Sequence, residues 1–152
     1  MEVLVKGKKN SKLSSEEIYF ATKYFSQLLM SKRLMKALVV EVNFTEDIST
    51  DGNSVWVDDN HRPREFEINI NSKMGTRKQL ITLAHEIVHV KQYAKGELKS
   101  LLRTSTERWH GKYIQTDELN YFDRPWEIEA FGREYGMYAR YMQWKKVNKL
   151  KF

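Results

Sequence analysis

The chain has 152 residues, 41% hydrophobic and 30% charged, a balance that predicts a single folded domain over 1–152 and excludes a disordered chain. No apolar run approaches the roughly 20 residues that cross a bilayer, and the absence of cysteine excludes disulfides and thiolate metal ligands. The net charge of +6 collects near the ends, in Lys6, Lys8, Lys9 and Lys12 and in Arg140, Lys145, Lys146, Lys149 and Lys151; no nucleic-acid-binding motif accompanies it, so solvation is the simpler reading.

In chain order, "MEVLVKGKKN" puts its positive charge after a short apolar run, the reverse of a secretory signal, and the chain reads as cytoplasmic. "SSEE" at Ser14 to Glu17 has capping-box spacing and predicts a helix through Met30, with Ile18, Ala21, Phe25, Leu28 and Leu29 at helical intervals. "ALVVEVNF" reads as a strand, "DGNS" as a turn and "VWV" as a short strand. "REFEINI" alternates Phe66, Ile68 and Ile70 with polar residues, and these three strands are expected to form a meander. Thr76 is expected to cap the next helix, with Gln79 at the capping-box position and Gly96 at its end. "TERWHGKYIQ" fits a hairpin turning at His110-Gly111, or a loop. Pro125 suits the first turn of a last helix capped by Asp123 or Arg124 and running to about Val147. The outline is an α+β domain: N-terminal helix, three-stranded meander, central helix, hairpin or loop, C-terminal helix.

The central helix carries the chemistry. Leu80, Leu83, Ile87, Val90 and Ala94 form one buried stripe, widened by Ile81, Ala84 and Val88. His85 and His89 fall on another, polar stripe with Lys78, Thr82 and Gln92. Histidines at i and i+4 project from one helix face, so both rings can reach a single ion at about 2.0–2.1 Å. Glu86, turned by about 100° from His85, is badly placed as a ligand and well placed to act on a water at the metal as general base. This His-Glu-x-x-His spacing points to a catalytic Zn²⁺, which needs a third protein ligand and an open position.

Candidates for that ligand are Glu127, Glu129 and Glu134 in "RPWEIEAFGREYGMY" and His110 in "WHGKY". Taking Ile128, Phe131, Tyr135, Tyr138 and Met142 as the core stripe of the last helix, Glu127 lies about 65° from its middle and Glu129 about 135°. Glu129 shares its side with Arg133 and Arg140, which reads as a solvated basic face. Glu127 is therefore the preferred ligand, with Glu134 behind it as an acceptor; Glu129 and His110 are the alternatives. Tyr121, Tyr135 and His110 are possible oxyanion donors, and Trp109 and Trp126 are expected to pack around the cleft.

"TLAHEIVHVKQYAKGELK", "WHGKY" and "RPWEIEAFGREYG" together resemble small zincin metallopeptidases with a glutamate third ligand, among them phage and bacterial proteins labelled SprT-like. The resemblance covers about Thr76 to Tyr138. It implies a zincin-like minimal metallopeptidase fold, with zinc on His85, His89 and a glutamate of "EIEA" and Glu86 as base. It also implies hydrolysis of peptide or protein substrates, in the host cytoplasm if the chain is phage-encoded, and a strand, here "REFEINI", along the cleft where an extended peptide can pair. SprT proteases proper use a third histidine, often before glycine, as at His110-Gly111, and are associated with nucleic acid. Many glutamate-type zincins carry Asp or Asn four residues after the ligand; here Phe131 and Arg133 stand there.

Overall fold

The structure is a computed structural model that describes residues 1–7, 13–101 and 105–152. Its elements are β1 (Glu2–Gly7), α1 (Ser15–Leu29), α2 (Lys32–Lys36), β2 (Val39–Thr45), β3 (Gly52–Trp56), β4 (Glu65–Asn71), α3 (Thr76–Lys95), β5 (Leu98–Leu101), β6 (Thr106–Trp109), β7 (Lys112–Gln115) and α4 (Pro125–Val147). A single 3₁₀ turn, Tyr121–Asp123, precedes α4. The fold is α+β, with one four-stranded and one three-stranded sheet.

The expected meander is not formed. The larger sheet has the order β1-β2-β4-β3, with β1 and β2 parallel, β2 and β4 parallel, and β3 antiparallel to β4 at the edge. Apolar content decides which strands are central. Val40, Val42 and Phe44 of β2 lie in register with Phe66, Ile68 and Ile70 of β4, and all six are at most 2% exposed. β3 has no such series to bury and takes the edge. The chain therefore passes over β4's place, forms the edge strand and returns between β3 and β2. A parallel β1–β2 pair needs a crossover, and α1 and α2 supply it.

The "DGNS" turn is also corrected, since Gly52 to Ser54 belong to β3. The reason is close packing: a Cβ on Gly52 would lie 2.6 Å from Thr82 Cγ2 and 3.0 Å from the Asn69 carbonyl. Glycine here lets the edge strand press against α3.

Ser14 caps α1, accepting from Glu17 N at 2.9 Å. α3 starts one residue differently from expectation: Gly75 is the N-cap and makes no side-chain cap bond. Gln79 instead donates to the carbonyls of Ser72 and Met74, which pins the loop leading into the helix. Gly96 ends α3 in the left-handed conformation at φ 71°. α3 is buried along most of its length between the larger sheet, α1 and α4.

The hairpin reading of "TERWHGKYIQ" holds as β6 and β7, with positive φ at both His110 and Gly111, as a two-residue type I′ turn requires. α4 begins at Pro125 after Arg124 and runs to Val147. Its core stripe is not the expected one. Ile128, Phe131, Tyr135 and Met142 are exposed, while Trp126, Glu127, Ala130, Glu134, Met137 and Tyr141 are buried. The buried face of α4 is assembled around two carboxylates, and the centre they belong to is the reason.

Candidate metal centre

His85 and His89 leave α3 on one face, one turn apart, and α4 lays its first turn across them. His85 Nε2 lies 3.1 Å from His89 Nε2. Glu127 Oε2 lies 3.3 Å from the first of these nitrogens and 3.5 Å from the second. A tetrahedral ion with bonds of about 2.0–2.1 Å holds its ligand atoms about 3.3–3.4 Å apart, so these three atoms fit the corners of one coordination sphere. Among the described residues they are the group of His, Asp and Glu ligand atoms placed closely enough to hold an ion.

The opposite nitrogen of each ring is fixed by a partner. His85 Nδ1 donates to Glu134 Oε2 at 2.8 Å and His89 Nδ1 to Gln92 Oε1 at 2.8 Å. With both Nδ1 atoms acting as donors, each Nε2 presents a lone pair to the same point. Gln92 can turn only its oxygen to His89, because its amide nitrogen donates to the Trp126 carbonyl and to Glu129 Oε2, both at 3.0 Å.

Glu129 therefore stands two steps from the ligand atoms. It also takes Lys91 Nζ at 2.7 Å and Arg133 Nε at 2.9 Å. Its expected solvated basic face is corrected: the side chain is 18% exposed and ties α4 to the buried Lys91. His110 stands apart, exposed at the hairpin turn with its ring against Trp109. Glu134 is an acceptor, as expected, but it stands behind His85 rather than behind Glu127. Gln92 was legible as part of the polar stripe, but its role depends on the carbonyl of Trp126, which no helical spacing reveals.

The charges are strongly coupled. Burial lowers the pKa of His85, but the carboxylates of Glu127 and Glu134 outweigh it and raise it to about 9. His89 is likewise raised, with burial opposing and Glu127 the main favourable partner. Burial raises the Glu127 pKa, yet the two imidazoles and the Tyr121 hydroxyl bring it down to about 2. Glu127 is thus held as an anion against the two imidazoles, and a divalent ion can take the place of the proton that the metal-free centre binds between them. Glu86 is different: burial holds its pKa above the ordinary glutamate value, against the pull of both histidines.

Glu86 Oε1 sits 3.3 Å from the point a Gly52 Cβ would occupy, and Ser54 hydrogen-bonds its side chain. On one side of it is a cleft of about 460 Å³ bordered by Gly52, Ile81, His85, Phe122, Phe131 and Glu134. On the other is a lobe of about 160 Å³ bordered by Ser54, His89, Tyr93, Trp126 and Glu127. Gly52, Glu86 and Tyr121 border both. Tyr121 donates to Glu127 Oε2 at 2.8 Å, while Tyr135 is exposed. Trp126 is 5% exposed, with the Trp109 ring 6.3 Å from it.

The strand along this cleft is β3 rather than "REFEINI". β4 is paired on both sides, whereas β3 has one neighbour. Asp51 and Val57 exchange backbone hydrogen bonds with β4, so by antiparallel alternation Gly52, Ser54 and Trp56 direct their backbone groups to the open edge. No helix among the described residues is long and apolar enough to cross a membrane. Comparison with protein-family models, with curated proteins and with solved structures finds no match for this chain.

Proposed function

We propose that this chain is a zinc-dependent metalloendopeptidase. The observation that carries the reading is the convergence of His85 Nε2, His89 Nε2 and Glu127 Oε2 at tetrahedral spacing, with Glu86 beside them facing an open cleft. Two imidazoles and one carboxylate, without thiolate, suit Zn²⁺ in a three-ligand catalytic site. When bound, zinc supplies Lewis-acid polarisation and makes water a usable nucleophile near neutral pH.

The chain's own residues account for the rest. Glu86 accepts the proton from the attacking water and delivers it to the departing amine, two tasks that its raised pKa favours at once. Glu134 and Gln92 hold the two rings in the metal-binding tautomer. The open edge of β3 offers Gly52, Ser54 and Trp56 to the main chain of an extended peptide. Because the cleft continues on both sides of Glu86, cleavage within a chain fits better than trimming of its ends.

A nucleic-acid-associated protease has less support. Lys6 pairs with Glu41 at 2.7 Å and Lys145 with Glu17, while Lys8, Lys9 and Lys12 lie outside the described residues.

The test joins metal content to turnover. By mass spectrometry, wild type, Glu86→Gln, Glu129→Gln and His110→Gln should carry zinc, and Glu127→Gln should lose it. Glu86→Gln should also lose at least about a hundredfold in peptide hydrolysis, as expected for a general base. A zinc-loaded wild type that cleaves no peptide faster than Glu86→Gln would leave a metal-binding protein without peptidase activity.

A further inference from the structure

A second cluster of polar side chains lies outside the metal centre. Lys99 on β5 stands directly opposite Arg108 on β6, and like charges facing each other across an antiparallel pair cost stability. Lys99 Nζ is 2.7 Å from His61 Nδ1. Arg62 lies over Gly96 at the end of α3, its Nε 3.4 Å from the site of a Cβ there. The Lys99 ammonium titrates below the ordinary lysine value, first through desolvation and then through the charges of Arg108 and Arg62.

Among the described residues no carboxylate forms an ion pair with Lys99, Arg108 or Arg62, and the neighbouring carboxylates are engaged elsewhere. Glu97 is held by Lys91 and Lys95. Asp58 accepts from the Asn60 side chain and from the backbone of Arg64 and Glu65. Glu107 accepts from Ser100. Neither Lys99 nor Arg108 has an ion-pair partner among the described residues, so both can meet an anionic ligand.

Lys99 and His61 border a cavity of about 210 Å³ that Trp56 and Tyr93 also line, their rings 4.7 Å apart; Arg108, across the strand pair from Lys99, stands beside the cavity rather than in its lining. Tyr93 borders the lobe at the metal centre as well, and Trp56 ends the same edge strand that begins at Gly52. At about 3.3 Å per residue, the step from Gly52 to Trp56 covers about 13 Å. The cavity is thus the far end of the cleft.

We infer that this cavity is a specificity subsite for an acidic side chain of the substrate, two to four residues from the scissile bond. The inference rests on the peptidase reading and adds the substrate's chemistry to it. An acidic peptide fits better than a nucleic acid. The strand edge beside the cavity offers a main-chain donor and acceptor at every second residue, which match a peptide backbone, and a single cation, Lys99, lines the cavity, which suits one carboxylate better than a strand of phosphates.

The test uses the full-length zinc-loaded chain and pairs of fluorogenic peptides that differ only in Glu against Gln at one position. The position is stepped two to four residues to either side of the cleaved bond. Wild type should prefer Glu over Gln at one position by roughly tenfold in kcat/KM, about 1.4 kcal/mol. Lys99→Glu or Arg108→Glu should abolish that preference and turn it toward Lys. Lys146→Glu, an equal change of net charge on exposed α4, should retain it.

Cleavage without a Glu preference, or with one that both reversals leave intact, overturns the subsite while the peptidase reading stands. If no peptide is cleaved in a Glu86-dependent way, the peptidase reading fails separately. Fluorescence anisotropy with the same labelled peptides on Glu86→Gln then decides the subsite. Tighter, salt-sensitive binding of the Glu peptide that Lys99→Glu removes keeps it; equal binding of both peptides overturns it. Stronger competition by a single-stranded oligonucleotide than by the acidic peptide also overturns it.

Discussion

Glu127 Oε2 does three things at once: it faces both histidine Nε2 atoms and accepts from Tyr121. The residues behind the ligands govern how well it does so. Gln92 donates no lone pair to a metal, yet it holds the Nδ1 of His89, and Glu129 and the Trp126 carbonyl hold Gln92. Gln92→Ala should therefore weaken zinc binding by about 10–100-fold, the usual effect of losing a partner behind a ligand. Gln92→Glu, which keeps an acceptor for His89, should recover part of it. Competition with a chelating dye measures both, and unchanged affinity in Gln92→Ala would remove the residue from the centre.

Protonation of the metal-free centre has a defined sign. His85 is raised from 6.5 to about 9, so its carboxylate pairs contribute stability that is complete below 6.5 and lost as pH rises through about 9. Glu127 is lowered from 4.5 to about 2, so its contribution is present above 4.5 and lost as pH falls through about 2. The chelator-treated chain should accordingly melt at a higher temperature at pH 6 than at pH 9, and His85→Gln should flatten that difference. Equal slopes in thermal melts of the two proteins would contradict it.

At the scale of elements, legibility followed local pattern. The helix boundaries of α1, α3 and α4 were readable to within a residue because caps, glycine and proline are local signals. Sheet order was not. β1 was missed because "VLV" between charges is too short to stand out, and its pairing partner β2 is about thirty residues away. The exposed stripe on α4 misled for a related reason. Ile128, Phe131 and Tyr135 recur at core spacing, but α4 spends its inner face on Glu127 and Glu134. Glu127 was the preferred ligand from a stripe that is exposed; its placement beside the histidines comes from the neighbouring buried face, which it shares with Trp126, Ala130, Glu134, Met137 and Tyr141.

β3 was displaced for the most specific reason. Gly52 is required by contact, and Gly52→Ala should cost about 1–3 kcal/mol by overpacking against Thr82. It should also reduce activity, since Glu86 is the next neighbour. Thr82→Ser removes the clashing methyl and should restore part of the stability in the double variant, as chemical denaturation would show. Additive losses would mean that the Asn69 carbonyl, 3.0 Å away, sets the cost.

For the whole molecule, a metal held at the centre would be a cross-link between α3 and α4. Beside it Lys91 pairs with Glu129 across the two helices, Ala130, Met137 and Tyr141 of α4 join the core farther along, and Tyr141 joins α4 to α1 through Phe25 and Tyr24. The far end of α4 is thus held by aromatic packing and its first turns by polar contacts. Zinc at about a thousand times its dissociation constant should add about 4 kcal/mol to stability. On chelation, amide exchange should rise first around Trp126 to Glu134 and last around Met137 to Tyr141, as hydrogen-exchange mass spectrometry would resolve. Uniform loss along α4 would contradict this division.

The place of β3 at the edge has one more consequence. Burial in the larger sheet rests on β2 and β4, so the strand that borders the cleft is not the strand that keeps the chain folded. Asn53 and Val55 on its outward face are exposed and can change with little effect on folding, typically within ~0.5 kcal/mol. The rim of the cleft can thereby change at Asn53, which borders the smaller lobe, without touching the core, while Gly52 is the fixed point that close packing against Thr82 imposes.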